Sequence, residues 1–241
     1  MTIVDNLARV RDQIAAACAR GGRSAADVTL IAVGKTHPAE RILEVAAAGV
    51  QHFGENRVEE SELKIPAVNR QSAAPLTWHM IGHVQSRKAK EVVDLFDVVH
   101  SVDSLKLATR LSGLAEARGR ALDVLLEVNV SGEASKYGLS AAGWASYAAA
   151  RDALWAEIGQ IAALPGLTVR GLMTVAPIVP RAEDARPVFA GLAALRGALS
   201  ESLGLALPDL SMGMTDDFAV AIEEGSTMVR IGRAIFGERN L

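Results

Sequence analysis

Residues 28–38 read Val-Thr-Leu-Ile-Ala-Val-Gly-Lys-Thr-His-Pro, an apolar run that stops at a glycine and a lysine before a helical pattern begins. A short apolar run of this kind predicts a strand buried on both faces, from Val28 to Val33. A proline in the first turn predicts a helix from Pro38 to Ala48, with Gly49 as its end. The stretch is therefore a strand followed by a helix, with the amine of Lys35 at the carboxyl end of the strand.

The same alternation of apolar runs and helical patterns continues along the chain. A helix from about Val4 to Arg20 precedes the first strand. Further strands are predicted at His52 to Glu55, Thr77 to Ile81, Val98 to Val102, Asp123 to Val130, Thr168 to Val175, Asp209 to Met212 and Thr227 to Ile231. Helices are predicted from about Arg57, near Ser86 to Leu95, from Ser104, after Ser140 with its end near Pro165-Gly166, from Arg181 to Leu203 and from Asp216 to Glu224.

About eight strands with interleaved helices are typical of a single α/β (β/α)₈ barrel of the TIM type, here with an additional N-terminal helix. A doubly wound sheet is the alternative, and it would need fewer strands or a second domain at this length. No linker, low-complexity stretch or shift in composition divides the 241 residues. We therefore expect one domain over residues 1–241.

Composition argues against several classes of partner. The net charge is -3, with 50% apolar and 22% charged residues, so nothing attracts a nucleic acid or an anionic membrane. No apolar run approaches the roughly 18 residues of a membrane span. The single cysteine, Cys18, lies on the apolar face of the first helix, where a buried hydrophobe is expected instead of a nucleophile or metal ligand. These features predict a soluble, cytoplasmic protein.

Lys35 is a candidate nucleophile because partial burial of an amine favours its neutral form, which can form an imine with a carbonyl compound. The alternative is a lysine whose stem packs at the strand end while its charge stays in water. Under the barrel interpretation other polar residues share that edge. They are Asn56, Gly82 with His83, Ser101, Asn129, Thr174, Met214 with Thr215, and Gly232 with Arg233.

Two segments have the composition of a phosphate site. Residues 211–217 run from the seventh strand into a helix, where free backbone amides favour an anion. Residues 230–233 close the eighth strand with Gly232, and barrels often bind phosphate between these two loops. Alternatively, Thr215 or Asp216 is only a helix cap and Gly232 only a tight turn.

His79 and His83 do not predict a metal site. Four residues along a strand span about 13 Å, which is too far for two imidazoles to share one zinc ion. No third ligand is apparent near them in the sequence. We therefore expect no metal.

Motifs spread along nearly the whole chain carry a resemblance to a known family. They are residues 31–36, 53–56, 78–85, 127–131 with Lys136 and Gly138, 171–174, 210–214 and 229–232. With these motifs the sequence resembles the pyridoxal phosphate homeostasis proteins, whose barrel is similar to the N-terminal domain of alanine racemase. As a set the motifs are highly specific.

The resemblance implies that Lys35 holds pyridoxal 5'-phosphate (PLP) as a Schiff base. Thr215 and the backbone amides near Gly232 and Arg233 would hold the phosphate, Asn56 would lie by the ring, and Arg230 would face the pyridine nitrogen. The cofactor-binding residues implied are Lys35, Asn56, Ser211, Met214, Thr215, Arg230, Gly232 and Arg233. Departures from the common family pattern are Gly34, His37, Arg87 and Thr215, of which the threonine keeps the hydroxyl.

The resemblance also implies a protein that stores PLP, limits its free concentration and delivers it to PLP-dependent apoenzymes, as a monomer or weak dimer. The expectation of little or no catalysis rests on Arg230, since a cation beside the ring nitrogen weakens the electron sink. The sequence also stops at Leu241, after the eighth unit, whereas alanine racemase takes a second acid/base group from another domain. No catalytic residue is therefore assigned.

Two alternatives stay open. One is an amino-acid racemase of low activity, with His37 or His83 as a substitute base, although a helix-surface or packed histidine is the more common case for each. The other is a barrel of a different class that uses Lys35 for electrostatics or for an imine with a sugar phosphate. Lys136, in the fifth loop, is a further candidate for attracting an anionic cofactor.

Overall fold

The computed structural model describes residues 2–133 and 136–237. Parallel strands form the centre of the protein. The strands are β1 (Thr29–Val33), β2 (His52–Glu55), β3 (Thr77–Met80), β4 (Val98–Val102), β5 (Leu122–Asn129), β6 (Leu139–Ser140), β7 (Leu167–Met173), β8 (Asp209–Ser211) and β9 (Met228–Ile231). All of them except β6 pair in chain order, and β9 pairs back with β1 to close the barrel. The predicted TIM-type barrel is confirmed.

Helices surround the strands. They are α1 (Ile3–Arg20), α2 (Ala39–Ala47), α3 (Val58–Gln71), α4 (Ala89–Leu95), α5 (Leu105–Glu116), α6 (Ala148–Ala162), α7 (Arg186–Leu203), α8 (Phe218–Glu223) and α9 (Arg233–Phe236). The additional N-terminal helix α1 starts with a capping box between Thr2 and Asp5, and it packs on α8 and α9. Cys18 is buried on its inner face, as expected.

Side chains along each barrel strand alternate between two environments, the interface with the helices and the barrel interior. Phe53, Trp78 and Val99 point outward and belong to the apolar core shared with the helices. Because neighbouring residues of a strand face opposite sides, His79 and His100 point into the barrel. The outer layer therefore carries most of the apolar packing, and the barrel interior holds polar side chains.

Several element ends differ from the sequence predictions. The helix predicted near Ser86 to Leu95 is a 3₁₀ turn over Ser86–Lys88 followed by α4. β7 stops at Met173 and not at Val175, and α8 starts at Phe218 because Asp217 is its N-cap residue. The short elements β6 and α9 were not predicted, since two and four residues are too few for a periodic pattern.

No helix in residues 2–133 or 136–237 is long and apolar enough to cross a membrane. Met1, Ala134, Ser135 and residues 238–241, including the predicted chain end at Leu241, lie outside the described residues. A single domain over residues 1–241 therefore stays a prediction.

Candidate functional site

Lys35 lies in a tight turn directly after β1, at the carboxyl end of the barrel, and it is half-buried. The amide of Gly34 donates to the carbonyl oxygen of Gly54 on β2 at 3.0 Å. Thr36 has a φ of 67°, in the left-handed region that non-glycine residues rarely adopt. Its amide donates to Oε2 of Glu60 at 3.0 Å, so the turn is held on both sides of Lys35.

A buried ion pair supports this turn from below. Nζ of Lys64 donates to Oε1 of Glu55 and to the carbonyl oxygen of Gly34, each at 2.9 Å. Burial raises the pKa of the Glu55 carboxyl, and the charges of Lys64 and, more weakly, Lys35 act in the opposite direction. The amine of Lys35 therefore lies near enough to Glu55 for the two charges to interact.

Asn56 follows β2 and lies next to the same turn in the barrel order. Its Oδ1 atom is buried and has no hydrogen-bond partner among the described residues. Gly82, after β3, packs directly on the backbone of Asn56. A Cβ atom at position 82 would lie 2.3 Å from the Asn56 carbonyl oxygen. An unpaired buried acceptor is unusual in a folded protein and indicates a place for a donor from a ligand.

Arg230, on β9, points into the barrel and is 4% exposed. One terminal nitrogen donates to both the carbonyl oxygen and Oγ of Ser211 at 2.7 Å, and the other donates to the Thr174 carbonyl oxygen at 2.9 Å. Burial lowers the pKa of the guanidinium to about 10, opposed by the carboxylates of Glu127 and Asp217. At neutral pH the side chain is therefore a fixed buried cation.

Glu127, on β5, is one of the two carboxyl groups whose charge acts on Arg230. Burial and the charge of Asp103 raise the pKa of Glu127 to about 7, although Arg230 and Lys136 act to lower it. The carboxyl can therefore gain or lose a proton near neutral pH, which is a property of functional sites.

The two segments with phosphate-site composition meet in space. The guanidinium of Arg233 contacts Oδ2 of Asp216 at 2.6 Å, which joins the loop after β8 to the start of α9. The amide of Met214, which is 38% exposed, donates to Oδ1 of Asp217 at 2.6 Å. The half-buried Thr215 lies between these contacts. Neither Thr215 nor Asp216 is the N-cap of α8, so that alternative is wrong.

Gly232 allows the backbone after β9 to approach β1. A Cβ atom at this position would lie 3.3 Å from the carbonyl oxygen of Val33, which is a tight contact. The residue precedes α9, and its carbonyl oxygen accepts hydrogen bonds from the amides of Ile235 and Phe236. The predicted cofactor residues are therefore distributed over the neighbouring strands β1, β2, β8 and β9.

Other candidates lie elsewhere along the same edge. Nδ1 of His83 is 3.1 Å from Asp103, and its ring stacks on Tyr137 with centroids 4.3 Å apart. Nζ of Lys136 donates to a backbone carbonyl oxygen at 3.2 Å. These residues line a cavity of about 430 Å³ whose lining includes none of the eight predicted cofactor residues.

His37 and Arg87, two of the departures from the family pattern, each have a local contact. The ring of His37 stacks on Phe236 with centroids 4.5 Å apart, and Nε of Arg87 donates to Gln85 at 2.8 Å. In the described part of the chain, no group of three or more His, Cys, Asp or Glu residues is placed to hold a metal ion.

Glu55, Lys64 and Glu127 were not assigned a role from the sequence. A signal existed for the two glutamates, because each stands beside apolar residues in a predicted strand and is buried in the structure. Lys64 gave no such signal, since it lies on a helix with charged neighbours, yet only 9% of its side chain is exposed.

Comparison with known proteins identifies the family. The family described as "Alanine racemase, N-terminal domain" matches residues 6–240. The sequence is 43% identical to the pyridoxal phosphate homeostasis protein of Escherichia coli K12, over 99% of this chain and 97% of that protein. It is 39% identical to the protein of the same name from Aquifex aeolicus, with 99% of each chain covered. The family resemblance carried by the motifs is confirmed.

Solved structures show the same likeness. PipY of Synechococcus elongatus PCC7942 matches with a TM-score of 0.84 without PLP and 0.82 with PLP bound. In both cases the sequence identity is 37%, covering 98% of this chain and 100% of PipY. Alanine racemase of Corynebacterium glutamicum has a TM-score of 0.62 at 18% identity, over 96% of this chain and 61% of that enzyme, and so shares the fold.

Proposed function

The chain belongs to the alanine racemase N-terminal domain family, and from that premise we propose that it binds PLP and takes part in PLP homeostasis. The observation that carries the proposal is the position of Lys35, half-buried at the end of β1 in a turn held by Glu60 and Lys64. This turn presents a primary amine at the ligand-binding end of the barrel.

The residues around the amine fit PLP. The cofactor supplies an aldehyde that reacts with amines, an anionic phosphate and a pyridine nitrogen. Asn56 offers an unpaired buried acceptor, Oδ1, which the ring hydroxyl of the cofactor could satisfy as a donor. Arg230 uses three of its N–H groups on Ser211 and Thr174, and the remaining two have no hydrogen-bond acceptor among the described residues.

In this proposal each of the eight residues has a role. Lys35 would hold the aldehyde carbon covalently through Nζ, with the aldehyde oxygen leaving as water, and Asn56 would lie beside the ring. Arg230 would face the pyridine nitrogen, with Ser211 fixing its guanidinium. The phosphate is held in the segment that the Arg233–Asp216 contact closes, which contains Met214, Thr215, Gly232 and Arg233.

We further propose that the protein holds and releases PLP with little or no catalysis. A buried Arg230 cation disfavours protonation of the pyridine nitrogen, which weakens the cofactor as an electron sink. The two histidines considered as bases are engaged elsewhere, His83 with Asp103 and Tyr137 and His37 with Phe236. A low-activity amino-acid racemase is the alternative, and Glu127 supports it because its pKa near 7 suits proton transfer.

The proposal extends to partners and location. PLP-dependent apoenzymes are the recipients, and the protein acts in the cytoplasm as a monomer or weak dimer. Exposed apolar side chains in the loops after β5, β7 and β8 support docking of a recipient at the open end of the barrel; they are Tyr137, Ile178 and Met214.

The test is covalent capture. The purified protein is incubated with PLP, reduced with borohydride and digested, and mass spectrometry locates the modified peptide. We expect one pyridoxyl phosphate on the peptide containing Lys35, and none in a Lys35→Ala variant. Lys90→Ala, at an exposed lysine, is the matched control and should be modified like the wild type. Modification elsewhere, or none, would refute the role of Lys35.

Catalysis is tested in the same preparation. Exchange of the α-proton of amino acids with deuterated water is followed across a panel of L- and D-amino acids. Under the proposal, exchange in the PLP-loaded protein equals that of free PLP. Rapid exchange that requires Lys35 and is lost in Glu127→Gln would favour the racemase alternative over the carrier.

A further inference from the structure

A continuous chain of side-chain hydrogen bonds crosses the barrel interior. Nδ1 of His52 lies 3.0 Å from Nε2 of His79, and Nδ1 of His79 lies 2.8 Å from Nε2 of His100. Nδ1 of His100 lies 2.8 Å from Oγ of Ser211, which in turn accepts from Arg230 at 2.7 Å. We refer to His52, His79 and His100 as the histidine chain. It links β2, β3 and β4 to the predicted cofactor residues on β8 and β9.

Elementary hydrogen-bond chemistry gives the chain a single direction. A guanidinium has only donors, so Ser211 Oγ must accept from Arg230. The hydroxyl has one hydrogen left to donate, and the only other hydrogen-bond contact of Ser211 Oγ among the described residues is Nδ1 of His100, so we assign the hydroxyl proton to this contact and no hydrogen to His100 Nδ1. Nε2 of His100 therefore carries the hydrogen and donates to Nδ1 of His79, and Nε2 of His79 donates to Nδ1 of His52. All three imidazoles are assigned the same tautomer, with the hydrogen on Nε2.

Burial keeps these rings neutral. His79 is 1% exposed and His100 is fully buried, and desolvation lowers the pKa of His79 to about 3 and that of His100 well below its usual value. Desolvation also lowers the pKa of the half-buried His52, although Asp97 acts to raise it. With a pKa of about 3, the His79 ring is neutral at pH 7. The histidine chain is therefore poorly suited to carry a proton and well suited to hold fixed dipoles.

We propose that the histidine chain positions the Arg230 guanidinium for the cofactor, by committing the Ser211 hydroxyl proton to His100 and so leaving its oxygen lone pairs to Arg230. This inference rests on the proposed function for the identity of the ligand. The assignment of tautomers does not rest on it. His52, His79 and His100 are positioning residues, since they act on the ligand through Ser211 and Arg230.

The ligand-free protein provides the first test. Long-range ¹H–¹⁵N correlation spectra of protein labelled at histidine report which ring nitrogen carries hydrogen. We expect His52, His79 and His100 to give the Nε2–H pattern, and His79 and His100 to remain neutral from pH 6 to pH 8. A Nδ1–H form of His100, or a charged ring at His79 or His100 in this range, would overturn the proposal whether or not PLP binds.

The second test separates positioning from mere packing with two substitutions of one residue. In His100→Asn, Oδ1 takes the place of Nδ1 and can still accept from Ser211, but the donor to His79 is lost. In His100→Gln, the amide group takes the place of Nε2 and can donate to His79, but the acceptor for Ser211 is lost. Each variant thus keeps one of the two contacts of His100.

The readout is the visible absorbance spectrum of bound PLP and its dissociation constant, because the spectrum responds to the surroundings of the ring. We expect His100→Asn to keep the wild-type spectrum and affinity. We expect His100→Gln to shift the absorbance maximum and to bind roughly tenfold more weakly, as for loss of one hydrogen bond. Equal behaviour of the two folded variants would overturn the proposal. If neither variant folds, the tautomer pattern of the wild type decides.

The proposed function can fail separately. If wild-type protein shows no spectrum of bound PLP while the three histidines show the Nε2–H tautomer, then the identity of the ligand is wrong and the hydrogen-bond direction stands. If PLP binds to Lys35 but His100 carries its hydrogen on Nδ1, then the positioning role is wrong and the proposed function stands.

Discussion

Nζ of Lys64 lies 2.9 Å from Oε1 of Glu55, and both side chains are buried beneath the turn that carries Lys35. The ammonium also binds the carbonyl oxygen of Gly34, so one cation holds both a buried carboxylate and the backbone next to Lys35. The second carboxylate oxygen, Oε2, has no partner among the described residues. The buried Glu55 carboxylate therefore depends on Lys64 for its counter-charge.

Lys64→Met should destabilise the protein strongly, because it leaves Glu55 buried without its counter-charge. We expect the free energy of unfolding to fall by about 3–5 kcal/mol at pH 7, measured by urea denaturation. The loss should be smaller at pH 4, where the carboxyl is protonated. Lys106→Met, at an exposed lysine, should change stability by less than about 0.5 kcal/mol. Equal stability of the two variants would contradict the role of the pair.

Glu127→Gln should change how stability depends on pH. The pKa of Glu127 is raised from 4.5 to about 7 in the folded protein, so the unfolded chain releases its proton first and wild-type stability falls as the pH rises between these values. The glutamine variant lacks this loss. It should equal the wild type near pH 4 and exceed it by about 3 kcal/mol at pH 8, at 1.36 kcal/mol per pKa unit.

Urea denaturation across this pH range measures the effect of Glu127→Gln. Glu201→Gln, at an exposed position on α7, is the control and should follow the wild-type curve. A constant difference between Glu127→Gln and wild type from pH 4 to pH 8 would show that the folded carboxyl titrates normally.

Gly82→Ala should destabilise the protein, because the new Cβ atom would lie 2.3 Å from the carbonyl oxygen of Asn56 and backbone would have to move. We expect a loss of about 1–3 kcal/mol and weaker PLP binding. Gly113→Ala is the matched control. Nothing lies within 4 Å of its Cβ position on helix α5, so it should gain about 0.5–1 kcal/mol. Thermal or urea unfolding distinguishes the two, and equal effects would argue against the Asn56 contact.

Thr215→Val should weaken PLP binding by roughly ten- to a hundredfold, because it replaces the hydroxyl proposed to bind the phosphate with a methyl group of similar size. Thr215→Ser should bind like the wild type. Thr168→Val, at an exposed threonine of β7, controls for the substitution itself. The dissociation constant is measured by absorbance titration, and unchanged binding in Thr215→Val would place the phosphate elsewhere.

The barrel could be predicted from the sequence because the pattern that identifies each strand and helix is local. Apolar runs such as Val28 to Val33 identify strands one at a time, and their alternation with helices leaves few topologies. The position of Lys35 at the carboxyl end of β1 follows from the same reasoning. Element ends such as the start of α8 were less accurate, because a hydrogen-bonded turn at Met214 and Asp217 replaces the first helical turn.

Contacts between distant residues could not be predicted in the same way. His52, His79 and His100 lie on three strands, and only the lateral register of the barrel brings their rings into contact. From the sequence His79 was considered with His83, but the two side chains have different partners in the structure. The contact of Lys64 with Glu55 could not be predicted either, because a lysine on a helix gives no sign that its amine reaches a buried carboxylate.

The left-handed conformation of Thr36 restricts how the backbone next to Lys35 can move. A threonine in this region is disfavoured by roughly 1–2 kcal/mol, and the Glu60 carboxylate compensates by binding its amide. Opening the turn would break this contact and the one from Lys64 together. The peptide backbone beneath the amine is therefore held in place, and we expect the amine to change position by rotation about the lysine side-chain torsions, on a nanosecond scale, and not by movement of the backbone.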